Sequence, residues 1–250
     1  APSTQTVSIL ADGSRVVNYY YTRNSYTYTL GSGTGVSTSG STASGTYQYG
    51  ATITLKATAN SGYTWKQWTS SNTGLVANKT TANTTFTMPA GNVTMTPSAT
   101  IINYTITYNL NDGTQGSGAK TSYNVTTQTF SLPTPTRTGY NFGGWYTTND
   151  FSGSAVTQIT KGTTGNKTYY AKWTANTYII KFNGNGNTNT EVNMSDLSMT
   201  YDVEKALTEN AYEKTGYNFI GWSKTSTGTV EYIDKATVEN LTSTDSGTVT

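Results

Sequence analysis

Gly139-Tyr140-Asn141-Phe142-Gly143-Gly144-Trp145 decides the fold, because the chain carries it three times. It occurs 77 residues earlier as Gly62-Tyr63-Thr64-Trp65-Lys66-Gln67-Trp68, and 77 residues later as Gly216-Tyr217-Asn218-Phe219-Ile220-Gly221-Trp222. A fixed period of this length marks a repeated structural unit. Upstream of each copy, apolar residues alternate with polar ones: Tyr26, Tyr28 and Leu30, then Tyr104, Ile106, Tyr108 and Leu110, then Tyr178, Ile180 and Phe182. Period two predicts strands with one buried face. The same 77-residue offset aligns Ile53, Phe130 and Leu207, all apolar. Each copy closes on another strand: Val93 and Met95 in the first, Tyr169, Ala171 and Trp173 in the second, Thr248-Val249-Thr250 in the third. That last strand reads as a few residues short, which predicts a boundary, a cleavage point or disorder there.

Within the seven residues, the first two aromatics lie two apart and share a face, whereas the Trp follows the Tyr by five and falls on the other parity. Either the Trp faces away, or a bulge at Gly143-Gly144 and its equivalents brings all three rings to one core; the bulge is the favoured reading. A buried ring removes on the order of 150 to 250 Å² from water. In a unit of about 75 residues without disulfides, two or three such rings make up much of the core. The motif positions Gly62, Tyr63, Trp65, Trp68, Gly139, Tyr140, Phe142, Trp145, Gly216, Tyr217, Phe219 and Trp222 are therefore assigned a structural role.

The landmarks divide the chain into 1–22, 23–102, 103–175 and 176–250. Residues 1–22 read as the tail hairpin of an upstream module: Val7 and Ile9, an Asp12-Gly13 turn, then Val16 to Tyr21. The joints Thr100-Ile101-Ile102-Asn103 and Thr174-Ala175-Asn176-Thr177 are short, which predicts a semi-rigid, monomeric rod of modules placed end to end.

Charged residues make up 11% of the chain, against about 25% in an average soluble domain, so the surface is polar but largely neutral. No cysteine is present to form a disulfide or act as a nucleophile, and no histidine to transfer protons near neutral pH. These absences argue against catalysis and against transition-metal binding. No run approaches the roughly 20 apolar residues of a membrane span, and no signal peptide opens the sequence. The net charge of +2 conceals an asymmetry: residues 178–250 hold 10 acidic and 5 basic residues, leaving the preceding part with 3 and 10. This reads as a different solvated surface on the last module; attraction of an anionic polymer to the basic part is the alternative.

Three further segments resemble a known family. Tyr104-Thr-Ile-Thr-Tyr-Asn-Leu-Asn-Asp-Gly113, Leu132-Pro-Thr-Pro-Thr-Arg-Thr-Gly-Tyr-Asn-Phe-Gly-Gly-Trp145 and Thr168-Tyr-Tyr-Ala-Lys-Trp173 look like the Listeria/Bacteroides repeat, the B-repeat of internalin-type surface proteins. Residues 176–250 keep the motif and its spacing but replace Leu-Pro-x-Pro with Leu207-Thr-Glu-Asn210. Residues 23–102, ending in Thr85-Phe-Thr-Met-Pro-Ala-Gly-Asn-Val-Thr94, are similar to the divergent form of the repeat. The resemblance implies a predominantly β fold of tandem small β-grasp-like modules, β-rich α+β at most, in an elongated array. It also implies export by a bacterium, attachment to the cell wall at the cell surface, and a role as spacer or adhesion module. It brings no catalytic residue and no cofactor. Its partners would be a host or cell-wall protein or a glycan, with no nucleic acid and no membrane insertion in this segment. Val203 to Lys214 is the strongest helix former of the chain, yet the matching part of the second copy holds Pro133 and Pro135, so helix and turn both stand open there.

Other chemistries are matched only weakly. Asp12, Asp112 and Asp150 are too few for a paired-carboxylate cleft, and Glu204, Glu209 and Glu213 read as solvated loop charges. The turns at 109–118 and 183–189 lack the several carboxylates of a calcium site. Lys56, Lys172 and Lys181 sit among apolar strand residues, where an isopeptide bond to Asn is conceivable, but alternation turns them outward. Trp65 and Trp68 are the nearest approach to a platform for stacking a sugar, the feature a carbohydrate-binding accessory array of a secreted hydrolase would need. Recurrence of the same positions as Phe142/Trp145 and Phe219/Trp222 assigns them to cores instead.

Overall fold

The computed structural model describes residues 6, 8, 10–14, 16, 18–73, 75 and 79–250. Every regular element among them is a β-strand, and none is a helix. The chain separates into two compact units, Ala1–Ile102 and Asn103–Thr250.

The first unit holds β1 (Ser25–Leu30), β2 (Val36–Ser37), β3 (Gly45–Gln48), β4 (Thr52–Leu55), β5 (Thr58–Ala59), β6 (Tyr63–Ser70), β7 (Thr84–Thr87) and β8 (Val93–Ile101). Its main sheet runs β3-β1-β8-β6, with a parallel β1/β8 pair in the middle and antiparallel pairs outside. The ribbons β2/β5 and β4/β7 complete it. Alternation along β1, β4 and β8 sends Tyr28, Ile53, Leu55, Val93 and Met95 into one core, closed by Trp68, Phe86 and Met88. Burial, with a smaller contribution from Tyr47, pushes the Tyr28 hydroxyl up to about 12.

The second unit contains two such cores. One is built from β9 (Tyr104–Asn109), β10 (Ser122–Tyr123), β11 (Phe130–Ser131), β12 (Tyr140–Tyr146), β13 (Gln158–Ile159) and β14 (Lys167–Ala175). Its sheet, β10-β9-β14-β12, repeats the arrangement of the first unit, again with a parallel central pair. The other comes from β15 (Thr177–Ile180), β16 (Leu197–Thr200), β17 (Lys205–Ala206), β18 (Thr237–Val238) and β19 (Gly247–Val249). Here the sheet has three strands, β16-β15-β19, with β15/β19 parallel. The fourth position, which the motif strand fills in the other copies, has no strand.

Several expectations change. No helix forms over 203–214, because the backbone donors there are engaged elsewhere: Leu207 N–H donates to Ala236 O, Asn210 N–H to the Asp234 carboxylate and Tyr212 N–H to the Asn210 side chain. Leu207 does not take the place of Phe130. The β17/β18 ribbon pairs Lys205 with Val238, as β11/β13 pairs Phe130 with Ile159, so Leu207 matches Leu132 and the offset slips by two. In the tail, the Asp12-Gly13 turn is present, with Gly13 N–H donating to Leu10 O and Gly13 at φ 65°. Val7 and Ile9 lie outside the described residues. Val16 and Tyr19, Tyr20 and Tyr21 are exposed and belong to no strand.

Candidate functional site

Each motif copy opens with one turn. Tyr63, Tyr140 and Tyr217 donate their N–H groups to the carbonyls of Asn60, Arg137 and Lys214, with Gly62, Gly139 and Gly216 at φ 82°, 76° and 81°. A left-handed third residue is what this turn demands, and glycine supplies it without a steric penalty. Beyond the turn, a register shift lies between Trp65 and Gln67 in β6 and between Phe142 and Trp145 in β12. The bulges carry Trp68 and Trp145 into their cores, at 0% and 2% exposure. Their indole N–H groups donate to Ala82 O and Pro133 O, at 2.9 and 2.7 Å. Trp65 and Phe142 pack edge-on against them, with ring centres 5.6 and 5.5 Å away.

The tyrosines of the motif take no part in these cores. Tyr140 belongs to the joint between the second and third copies. Arg137 lies 3.9 Å above its ring, Tyr201 meets it edge-on at 5.9 Å, and its hydroxyl donates to Asp202 at 2.7 Å. Tyr201 lies flat on Gly139, where an added Cβ would come within 2.2 Å of the ring. Asn141 Nδ2 donates to one Asp245 oxygen at 3.0 Å, and the other accepts from Thr177 N–H. A single residue, Asn176, separates β14 from β15: its N–H donates to Gly139 O and its carbonyl accepts from Tyr201 N–H. In the second copy the front half of the motif thus contacts the third copy, while the back half fills its own core.

Titration follows from these contacts. The Tyr140 hydroxyl, then the Asn240 amide and the Arg137 charge, hold the Asp202 carboxyl below the usual range. The same bond to Asp202 raises Tyr140. A polar hollow of about 460 Å³ lies beside them, bordered by Asp112, Arg137, Tyr140 and Asp202. Arg137 also reaches Asp112 at 3.7 Å and donates to Asn111 O. Tyr201, Asp202, Asn176 and Asp245 were not readable as a site from the sequence. By sheet register Tyr201 corresponds to Val125 and Tyr49 in the other copies, so tyrosine recurs at only two of the three positions, outside the motif.

In the third copy the motif is uncovered. Tyr217 is 73% exposed, Phe219 42% and Ile220 76%. Trp222 still packs on Phe182 and joins the core, but its buried Nε1 has no acceptor. The other candidates keep to structural surroundings. Trp65 and Trp68 stand at 61° to each other with Trp68 buried, which leaves no flat face for a sugar. Lys56 is exposed, Lys172 lies over the Tyr146 and Phe151 rings, and Lys181 pairs with Asp196 at 3.7 Å across open surface. Glu209 pairs with Lys235 at the surface. Among the described residues no three acidic side chains gather as a metal site would require. No helix among them is long and apolar enough to cross a membrane.

Fold and site together define a tandem all-β repeat protein whose second aromatic motif is shared between its own core and the joint to the third copy. The sequence model of the divergent InlB B-repeat domain matches residues 26–99, and that of the Listeria-Bacteroides repeat domain matches 104–172 and 178–244. The chain belongs to the Listeria-Bacteroides repeat domain family, repeat domains of the kind found in bacterial surface proteins. Two proteins of Evansella cellulosilytica are similar to it. One, named "Putative membrane protein", is 29% identical over 127 residues, covering 48% of this chain and 18% of its own length. The second, named "Putative Gly-rich membrane protein", is 32% identical over 119 residues, covering 48% of this chain and 13% of its own. The chain thus spans less than a fifth of either relative. No solved structure matches it.

Proposed function

We propose that the chain is a non-catalytic spacer region of a bacterial cell-surface protein, made of β-grasp-like modules 23–102, 103–175 and 176–250 after a short upstream tail. Strand order supports the β-grasp-like reading: a parallel central pair with an antiparallel strand on each side, complete in the first two modules. The observation that carries the spacer reading is the joint between the second and third modules. One connecting residue and bonds from Tyr140, Asn141 and Gly139 tie them together, which suits an element that holds its neighbours at a set separation. A flexible tether would need a longer, glycine- or serine-rich connection. The absence of histidine and cysteine accords with a role without chemistry. Adhesion by protein-binding patches is compatible with the same scaffold; for a sugar platform the Trp65/Trp68 pair offers no flat face, and the exposed Tyr217 and Phe219 rings are the aromatic surface that would have to serve.

The chain's lack of native cysteines makes the test direct. Spin labels at Lys161→Cys and Glu239→Cys report the separation of the second and third modules by double electron–electron resonance. A single narrow distance distribution is expected, broadening when Tyr140→Phe and Asp202→Ala are combined. A distribution already broad in the otherwise unaltered chain would overturn the spacer reading.

A further inference from the structure

The polar hollow of about 460 Å³ at the joint lies between two banks. Asp112, Thr114, Thr136 and Arg137 form one, on the second copy, and Tyr201 and Asp202 form the other, on the third. Its size falls within the roughly 300 to 1,000 Å³ of small-molecule sites. The bonds that hold the copies together leave much of its polar lining unused. Arg137 donates through Nη1 to Asn111 O, while Nη2 stands 3.7 Å from Asp112 Oδ2, beyond hydrogen-bond reach. Among the described residues, the Thr114 and Thr136 hydroxyls and the Asp112 carboxylate make no hydrogen bond. Each Asp202 oxygen accepts one bond, from Tyr140 or from Asn240, and keeps a lone pair to spare.

The fold does not ask for this lining. The paired Thr114 and Thr136 correspond to the paired Val36 and Ala59 of the first copy. Arg137 stands where the first copy has Asn60, which closes the same turn without a charge. The lining also narrows the class of guest. Two carboxylates beside one guanidinium give the hollow a net negative charge, which disfavours an anion. A metal cation would need gathered acidic ligands, and the described residues offer no such group. One face of each ring is already taken, since Arg137 lies over Tyr140 and Tyr201 lies on Gly139, so recognition falls to hydrogen bonds. Adjacent hydroxyl groups of an uncharged guest suit this lining, because one can donate to a carboxylate while its neighbour accepts from the guanidinium.

We infer that this hollow binds a neutral sugar, its neighbouring hydroxyls set between Asp112 and Arg137 on one bank and Asp202 on the other. The site needs both copies, so it rests on the joint that carries the spacer reading. A sugar that binds only the joined arrangement shifts the chain toward it and holds the joint more tightly.

The test titrates the isotope-labelled chain with maltose, cellobiose, lactose and diacetylchitobiose, with inorganic phosphate as the charged control, and follows amide resonances. At least one sugar should give saturable shifts at 112–114, 136–140 and 201–202 together. Asp112→Asn combined with Thr114→Val should weaken that binding at least about tenfold, as loss of a charge-assisted hydrogen bond does. The spin-label separation of the second and third modules should stay unchanged in this variant, because the contacts of both side-chain positions lie within the second copy. No saturable shift from any of the sugars, shifts confined to one copy, or an equal response to inorganic phosphate would overturn the proposal. A narrow spin-label distribution in a chain that ignores every sugar defeats the site and leaves the spacer reading standing. A broad distribution that a sugar narrows upholds the site and defeats the spacer reading.

Discussion

Residues 140–145 and 217–222 carry nearly the same motif and meet different fates. In the second copy it is a strand, paired along β14, with Trp145 at 2% exposure and its indole bonded to Pro133 O. In the third it pairs with its neighbours only through a bridge from Trp222 to Tyr232, and three of its side chains face solvent. The turn before the motif is the same in both, down to the cation over the tyrosine ring, Arg137 at 3.9 Å and Lys214 at 5.1 Å. Local sequence therefore sets the turn and the glycine conformation. Burial of the rings depends on a strand from elsewhere in the fold, a tertiary contribution that outweighs intrinsic strand preference.

The largest difference should appear on truncating the tryptophans. Trp145→Ala should cost about 3 to 5 kcal/mol, the range for emptying a large aromatic site in a packed core. Trp222→Ala should cost less than half as much, because that ring is partly open and its N–H has nothing to lose. Urea unfolding followed at resonances of each copy measures both, and equal losses would remove the contrast.

The turn glycines offer a finer comparison. Valine at either Gly139 or Gly216 is forced into a left-handed conformation, at about 1 to 2 kcal/mol. At Gly216 the new side chain meets open space, whereas at Gly139 it strikes the Tyr201 ring. Gly139→Val should therefore be the more destabilising of the two by thermal unfolding, and it alone should broaden the distances across the joint.

The smallest effects are electrostatic. Asp202 is depressed in the folded chain, so its contribution to the joint is complete above the ordinary carboxylate range and is lost as pH falls through its lowered value. Tyr140 is raised, so its contribution is complete below the ordinary phenol range and is lost as pH rises through its raised value. The joint should hold unchanged between these limits and loosen at both ends. Tyr140→Phe should remove the alkaline dependence from the spin-label distances and weaken the acid one, since Asn240 and Arg137 still act on Asp202. Because both groups are solvent-exposed, the change should be read as loosening at the joint and not as unfolding.

Much of this was legible in the sequence because periodicity reports burial. The alternation at Tyr104, Ile106 and Tyr108 marked a strand, and the parity of Trp145 relative to Phe142 pointed to the bulge that the register of β12 contains. What stayed hidden depends on partners distant in the chain. Tyr140 has the same parity as Phe142, yet it turns to Asp202, 62 residues away, and no neighbouring residue signals the choice. The two-residue slip that puts Leu207 opposite Ala236 could not be seen from an offset taken on the motif alone. Nor could composition tell that the strongest helix former would be drawn into an extended path, since the acceptors responsible, Asp234 and Ala236, belong to another loop.

Amide hydrogen exchange along 141–144 and 218–221 puts the comparison to its plainest trial. If a covering strand governs the motif, the first set should exchange on average at least about a hundredfold more slowly than the second, as expected when one edge opens only with its module and the other faces water. Comparable protection of the two sets would mean that the third copy already has a partner along its motif, and that the contrast drawn between the copies is wrong.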